Sequence, residues 1–86
     1  MTDSPTPQID ARGLVCPLPV IRLAALARTL TDGNTVEVLA DDPAARADIP
    51  AWCRLKGHAV SRTDHEDHAA YLVVLGQAPE KSIGGA

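Results

Sequence analysis

Tyr71-Leu72-Val73-Val74-Leu75 is apolar at every position. A strand sends alternate side chains to opposite faces, so this run has no polar face to turn to water. It predicts a central strand, and with it a sheet that the rest of the chain must cover. Thr35–Ala40 alternates, with Val36, Val38 and Ala40 on one face and Glu37 on the other, so the far side of that sheet is expected to be partly wet. Gln8–Ala11, with Ile9 inward, and His58–Thr63 read as the remaining strands. The polar stretch Asp64–His68 joins the last two as an antiparallel hairpin.

Between the strands the apolar period changes. From Pro17 to Leu30, Val20, Leu23, Ala24, Leu26, Ala27 and Leu30 fall on one helical face, and Ile21, Arg22, Ala25, Arg28 and Thr29 on the other. Thr31–Asn34 is a helix exit and turn. Asp42-Pro43 signals a second helix start. Pro50 is expected to break that helix, with Asp48 restarting it as a second cap before Ile49, Trp52, Cys53 and Leu55. Gly57 reads as a left-handed stop. The order is βαβαββ. It predicts an α/β two-layer sandwich, with two helices on one face of a mixed four-stranded sheet. Residues 1–7 read as a disordered leader, 8–76 as the domain and 77–86 as a flexible tail.

Cys16 precedes Pro17 at the head of the first helix. Proline at the first helical position forfeits no hydrogen bond, which makes Cys16 the expected cap. A helix start carries free N–H groups and a partial positive charge, so the thiol is expected to ionise below the free value of roughly 8.5. Pro17 and Pro19 both lack N–H groups, which leaves Leu18 N–H as the main free donor near the sulfur. Gly13 permits a sharp bend just upstream. A lone cysteine is more often a small buried hydrophobe than a nucleophile, and the local residues leave both readings open.

The stretch Asp10-Ala11-Arg12-Gly13 followed by Cys16-Pro17-Leu18-Pro19 resembles the signature of the TusA/SirA family of small sulfur carriers. Asp41-Asp42-Pro43 and Asp48-Ile49-Pro50 match a second family motif, and the likeness runs from about Ile9 to Leu75. The resemblance implies the same fold. It assigns a persulfide-carrying, catalytic role to Cys16, supported by Asp10, Gly13, Pro17 and Pro19. It also implies a cysteine desulfurase or rhodanese-like donor, a downstream sulfur acceptor and no cofactor. Transfer RNA thiolation, molybdenum-cofactor assembly and sulfur oxidation or reduction relays all fit. Ile21, set between Arg22 and Arg28, is a candidate docking surface, although a solvated helix face explains it as well. Asp42 and Arg46 are further docking candidates in a charged cluster that capping and a local ion pair also explain.

Composition narrows the alternatives. The chain has 86 residues, 45% hydrophobic and 2% aromatic, so its single core is built from aliphatic residues around Trp52 and Tyr71. A net charge of -3 is the wrong sign for a module held on nucleic acid by phosphate contacts. The N-terminus has no signal-peptide pattern and no run is long enough to span a membrane, so a cytoplasmic protein is expected. Cys53 reads as buried and inert. His58, His65 and His68 fit no zinc spacing, and no metal is expected. Gly84-Gly85 resembles the terminus of ubiquitin-like carriers, but Ala86 follows it. The competing function is a binding or regulatory module without sulfur chemistry. The C-terminal domain of a bacterial translation initiation factor has the same layout, so fold alone does not decide between them.

Overall fold

The structure is a computed structural model that describes residues 6–78. The expectations of a leader over 1–7 and a tail over 77–86 fall mostly on residues 1–5 and 79–86, outside the described residues. The elements are β1 (Gln8–Asp10), α1 (Leu18–Ala27), β2 (Thr35–Ala40), α2 (Ala45–Lys56), β3 (Ala59–Asp64) and β4 (Ala69–Val74). The sheet order is β1-β2-β4-β3. β1 runs parallel to β2, and β4 is antiparallel to both of its neighbours. Two helices on a mixed four-stranded sheet are what the periodicity predicts, and the apolar run of β4 is an inner strand.

Register sorts the side chains. Val38 pairs with Tyr71 and Val36 with Val73, so these four share the helix-covered face. All are at most 1% exposed, and Leu23 of α1 and Ala45, Ile49 and Cys53 of α2 close the core over them. Glu37 pairs with Leu72 on the opposite face, where Leu72 is exposed. Among the described residues no helix covers that face. β4 is therefore an inner strand that the described helices cover on one side.

The helix ends differ from the sequence reading. α1 stops at Ala27, three residues early. Thr29 and Leu30 donate to carbonyls three residues back, and the Thr29 hydroxyl also bonds Leu26 O at 2.7 Å. This local competition tightens the last turn. Pro50 does not break α2, which is continuous over Ala45–Lys56, and Asp48 lies inside it instead of capping a restart. Ala45, Ile49 and Cys53 stand one turn apart and are all buried, so the packing of that face holds the helix through the proline. The carbonyl left without its N–H is that of Arg46, an exposed residue that water can reach. Leu55 projects away from the core and is 78% exposed. Gly57 ends α2 at φ 79, the left-handed conformation expected of it.

Candidate functional site around Cys16

The β1–α1 loop is held from outside by the β2–α2 loop. Ala11 N–H bonds Leu39 O at 2.8 Å and continues the parallel pairing one residue past β1. Asp10 and Arg12 form a two-point ion pair at 2.8 and 2.9 Å, and the guanidinium pulls the Asp10 carboxyl down to about 2. Gly13 turns the chain at φ 85, a conformation that suits glycine. Its N–H donates to both Asp41 oxygens, at 2.9 and 3.1 Å. Cys16 N–H donates to Asp42 Oδ2 at 2.7 Å, and Asp42 Oδ1 accepts a weaker bond from Ala44 N–H at 3.4 Å. One aspartate thus holds Cys16 and begins the turn into α2.

The two motifs, far apart in sequence, meet at one point. Asp41 is expected to act mainly as a clamp, so Asp41→Ala should destabilise the fold by about 1.5 kcal/mol, the low end for a hydrogen bond to a charged group. Chemical denaturation would measure this, and an unchanged midpoint would show that water replaces the carboxylate without loss.

Cys16 is exposed, as its place at the helix head predicts. It is not the cap, however. Pro17 occupies the N-cap position and Leu18 and Pro19 begin the helix. Leu18 N–H is not free either, because it donates to Val15 O at 2.8 Å. The helix start therefore has little to offer an anion. The Cys16 thiol is correspondingly pushed up from its ordinary value, not down. Its hydrogen bond to the Asp48 side chain is the chief cause, followed by burial and the charges of Asp48 and Asp42. Carboxylate neighbours disfavour the thiolate.

The other candidates separate into groups. Pro17 and Pro19 shape the first turn, and Pro19 is buried beneath it. Ile21, Arg22 and Arg28 lie on the exposed face of α1, as the period predicts. Arg46 is exposed and turns toward β3, 3.7 Å from Asp64. Cys53 is fully buried, and its thiol is pushed up to about 11 by that burial. His65 and His68 stack with ring centres 4.8 Å apart, and His68 Nδ1 lies 2.7 Å from Asp67. With Asp41, Asp42, Arg46 and Tyr71 they line an open groove of about 350 Å³. Among the described residues no group of three or more His, Cys, Asp or Glu side chains is arranged to hold a metal ion. No helix among them is long and apolar enough to cross a membrane.

Asp48 is the residue whose part sequence reading missed. Its spacing suggested a cap, and only the fold brings it to the thiol. The signal that pointed to it was the second motif, which contains both Asp42 and Asp48.

This architecture has known counterparts. A SirA-like protein from Desulfitobacterium hafniense has the same fold, with a TM-score of 0.73 and 28% sequence identity, over 81% of this chain and 97% of that one. The family model described as Sulfurtransferase TusA matches residues 7–75, a span that takes in both motifs and all six secondary-structure elements. The chain belongs to the TusA family of sulfur-carrying sulfurtransferases.

Proposed function

We propose that Cys16 is the residue that carries sulfur, as a persulfide passed from a donor protein to an acceptor protein. The observation that carries this reading is the exposed thiol at the head of α1, on a loop clamped by Asp41 and Asp42. A carrier needs its sulfur accessible and its backbone fixed, and both conditions are met here. Gly13 supplies the bend, the Asp10–Arg12 pair stiffens the loop, and Pro17 and Pro19 set the turn.

The exchange balances without an external oxidant. The Cys16 sulfur attacks the outer sulfur of a donor persulfide. A sulfur–sulfur bond forms at Cys16, the donor's sulfur–sulfur bond breaks, and the donor leaves as a thiol that takes up the proton Cys16 gave up. The reverse sequence delivers the sulfur to the acceptor. Rates depend on thiolate fraction and access, as in thiol–disulfide exchange. The donor is a cysteine desulfurase or a rhodanese-like protein. Ile21, Arg22 and Arg28 on α1, with Asp42 and Arg46 near the thiol loop, form the surface that meets donor and acceptor.

Incubation with a cysteine desulfurase and cysteine, followed by mass spectrometry of the intact protein, tests the assignment. The wild-type chain and Cys53→Ala are expected to gain the mass of one sulfur atom, and Cys16→Ser none. Loading that survives Cys16→Ser, or is lost in a folded Cys53→Ala, would place the carrier function elsewhere.

A further inference from the structure

The C-terminal halves of α1 and α2 border a second groove of about 350 Å³. It is lined by Ala24, Ala27 and Arg28 on one side, and by Trp52, Lys56 and His58 on the other. Ala24 lies about 9 Å along the helix axis from Leu18, the first residue of α1, so the groove is separate from Cys16. Each side contributes an exposed cation, Arg28 at the C-cap of α1 and Lys56 at the end of α2. A basic residue near a helix C-terminus also complements the dipole. However, α2 has two of them in its last turn, Arg54 and Lys56, and Lys56 is the one that lines the groove. Trp52 is half-buried, and its ring centre lies 5.1 Å from that of His58, with the planes at 53°. Gly76 N–H donates to His58 Nδ1 at 2.8 Å. That bond fixes the ring and places the proton of the neutral imidazole on Nε2, where it can be donated. The sulfur chemistry makes no use of Trp52, Lys56 or His58.

We propose that this groove between α1 and α2 binds a small phosphate monoester with a planar apolar body, the phosphate between Arg28 and Lys56 and the body against Trp52. The guanidinium of Arg28 offers a planar fork of donors that matches phosphate oxygens, and Lys56 adds a compact second charge. Two cations and the Nε2 proton of His58 suit the three terminal oxygens of a phosphate monoester better than the two of a carboxylate. Ala24 and Ala27 are small, which leaves room between the helices, and the indole of Trp52 gives a flat apolar wall for a ring to pack on. A pocket of this volume is at the low end for small-molecule sites, with apolar walls and a few polar groups that orient the ligand. The site stands whether or not Cys16 carries sulfur.

Trp52 is the chain's one tryptophan, so its indole N–H resonance reports on the groove directly. The isotope-labelled full-length chain is titrated with phenyl phosphate, and with phenol and inorganic phosphate as the two halves of that probe. Phenyl phosphate is expected to shift the Trp52 signal saturably. Phenol, which lacks the charge, and inorganic phosphate, which lacks the ring, are each expected to bind about 10-fold more weakly. Arg28→Gln and Lys56→Gln are each expected to weaken phenyl phosphate by about 5-fold, as does high salt in the wild-type chain. Arg54→Gln removes the same charge from the same helix end outside the groove, and is expected to leave the affinity unchanged. All three side chains are exposed, so the variants keep the core intact. A shift that does not saturate, phenol binding as tightly as phenyl phosphate, or wild-type affinity in both Arg28→Gln and Lys56→Gln overturns the proposal. An equal loss in Arg54→Gln also overturns it, because the effect is then one of overall charge and not of a site.

Discussion

Leu23→Ala is expected to cost the fold about 3 kcal/mol, within the range for truncating a fully buried leucine. Leu23 has no exposed surface and lies on the α1 face that packs over the sheet. α1 has no side-chain cap at its start and no acidic residue in its first turn, so packing of this face is its main restraint. A domain of this size has only about 5–15 kcal/mol in total, so the loss is a large fraction. The consequence reaches the site. Cys16 is fixed on one side by Asp42 and on the other by the head of α1, and a loosened helix leaves only the first restraint. Urea denaturation should show a much lower midpoint with an unchanged slope. A midpoint shift below about 1 kcal/mol would mean that neighbouring side chains collapse into the space, and that α1 is held by more than its apolar stripe.

What was legible in the sequence depends on distance along the chain. The buried face of α1 and the faces of β2 follow from periods of 3.6 and 2, which a window of a few residues reveals. The exposed placement of Cys16 follows from Pro17 beside it. The electrostatics at the sulfur does not. Asp42 is 26 positions from Cys16, and nothing local distinguishes an aspartate that caps its own helix from one that also holds a distant backbone N–H. Reading Cys16 as a helix cap gave the wrong sign for its thiol for that reason. A generic helix start favours an anion, but here two prolines and a bonded Leu18 N–H remove the donors, and the Asp48 and Asp42 carboxylates push the thiol up. Pro50 misled in the opposite direction. Its local effect is to break a helix, and the burial of Ala45, Ile49 and Cys53 outweighs it.

Cys53 is expected to make the protein lose stability in alkali, on the order of 2 kcal/mol, although it takes no part in the proposed chemistry. It has no exposed surface, and burial pushes its thiol from 9.0 up to about 11. In the unfolded chain the thiol returns to its ordinary value. Below that value both states hold the proton and the full stability is present. As pH rises from about 9 toward about 11 the unfolded state releases its proton while the folded state keeps it, so unfolding is favoured progressively. Above the folded value both states are ionised and the loss is complete. Tyr71, whose hydroxyl is also pushed up by burial, acts in the same direction at the upper end of the window. Urea midpoints for the wild-type chain and Cys53→Ala at about pH 8 and about pH 10.5 separate the contributions, since those two points span most of the window. The variant should begin lower, because alanine leaves a small cavity against Ile49 and the sheet. It should then fall less steeply, because only Tyr71 and the exposed groups remain to titrate. Parallel declines in the two proteins would show that the Cys53 thiol ionises in the folded state without resistance, and that the core around α2 admits water.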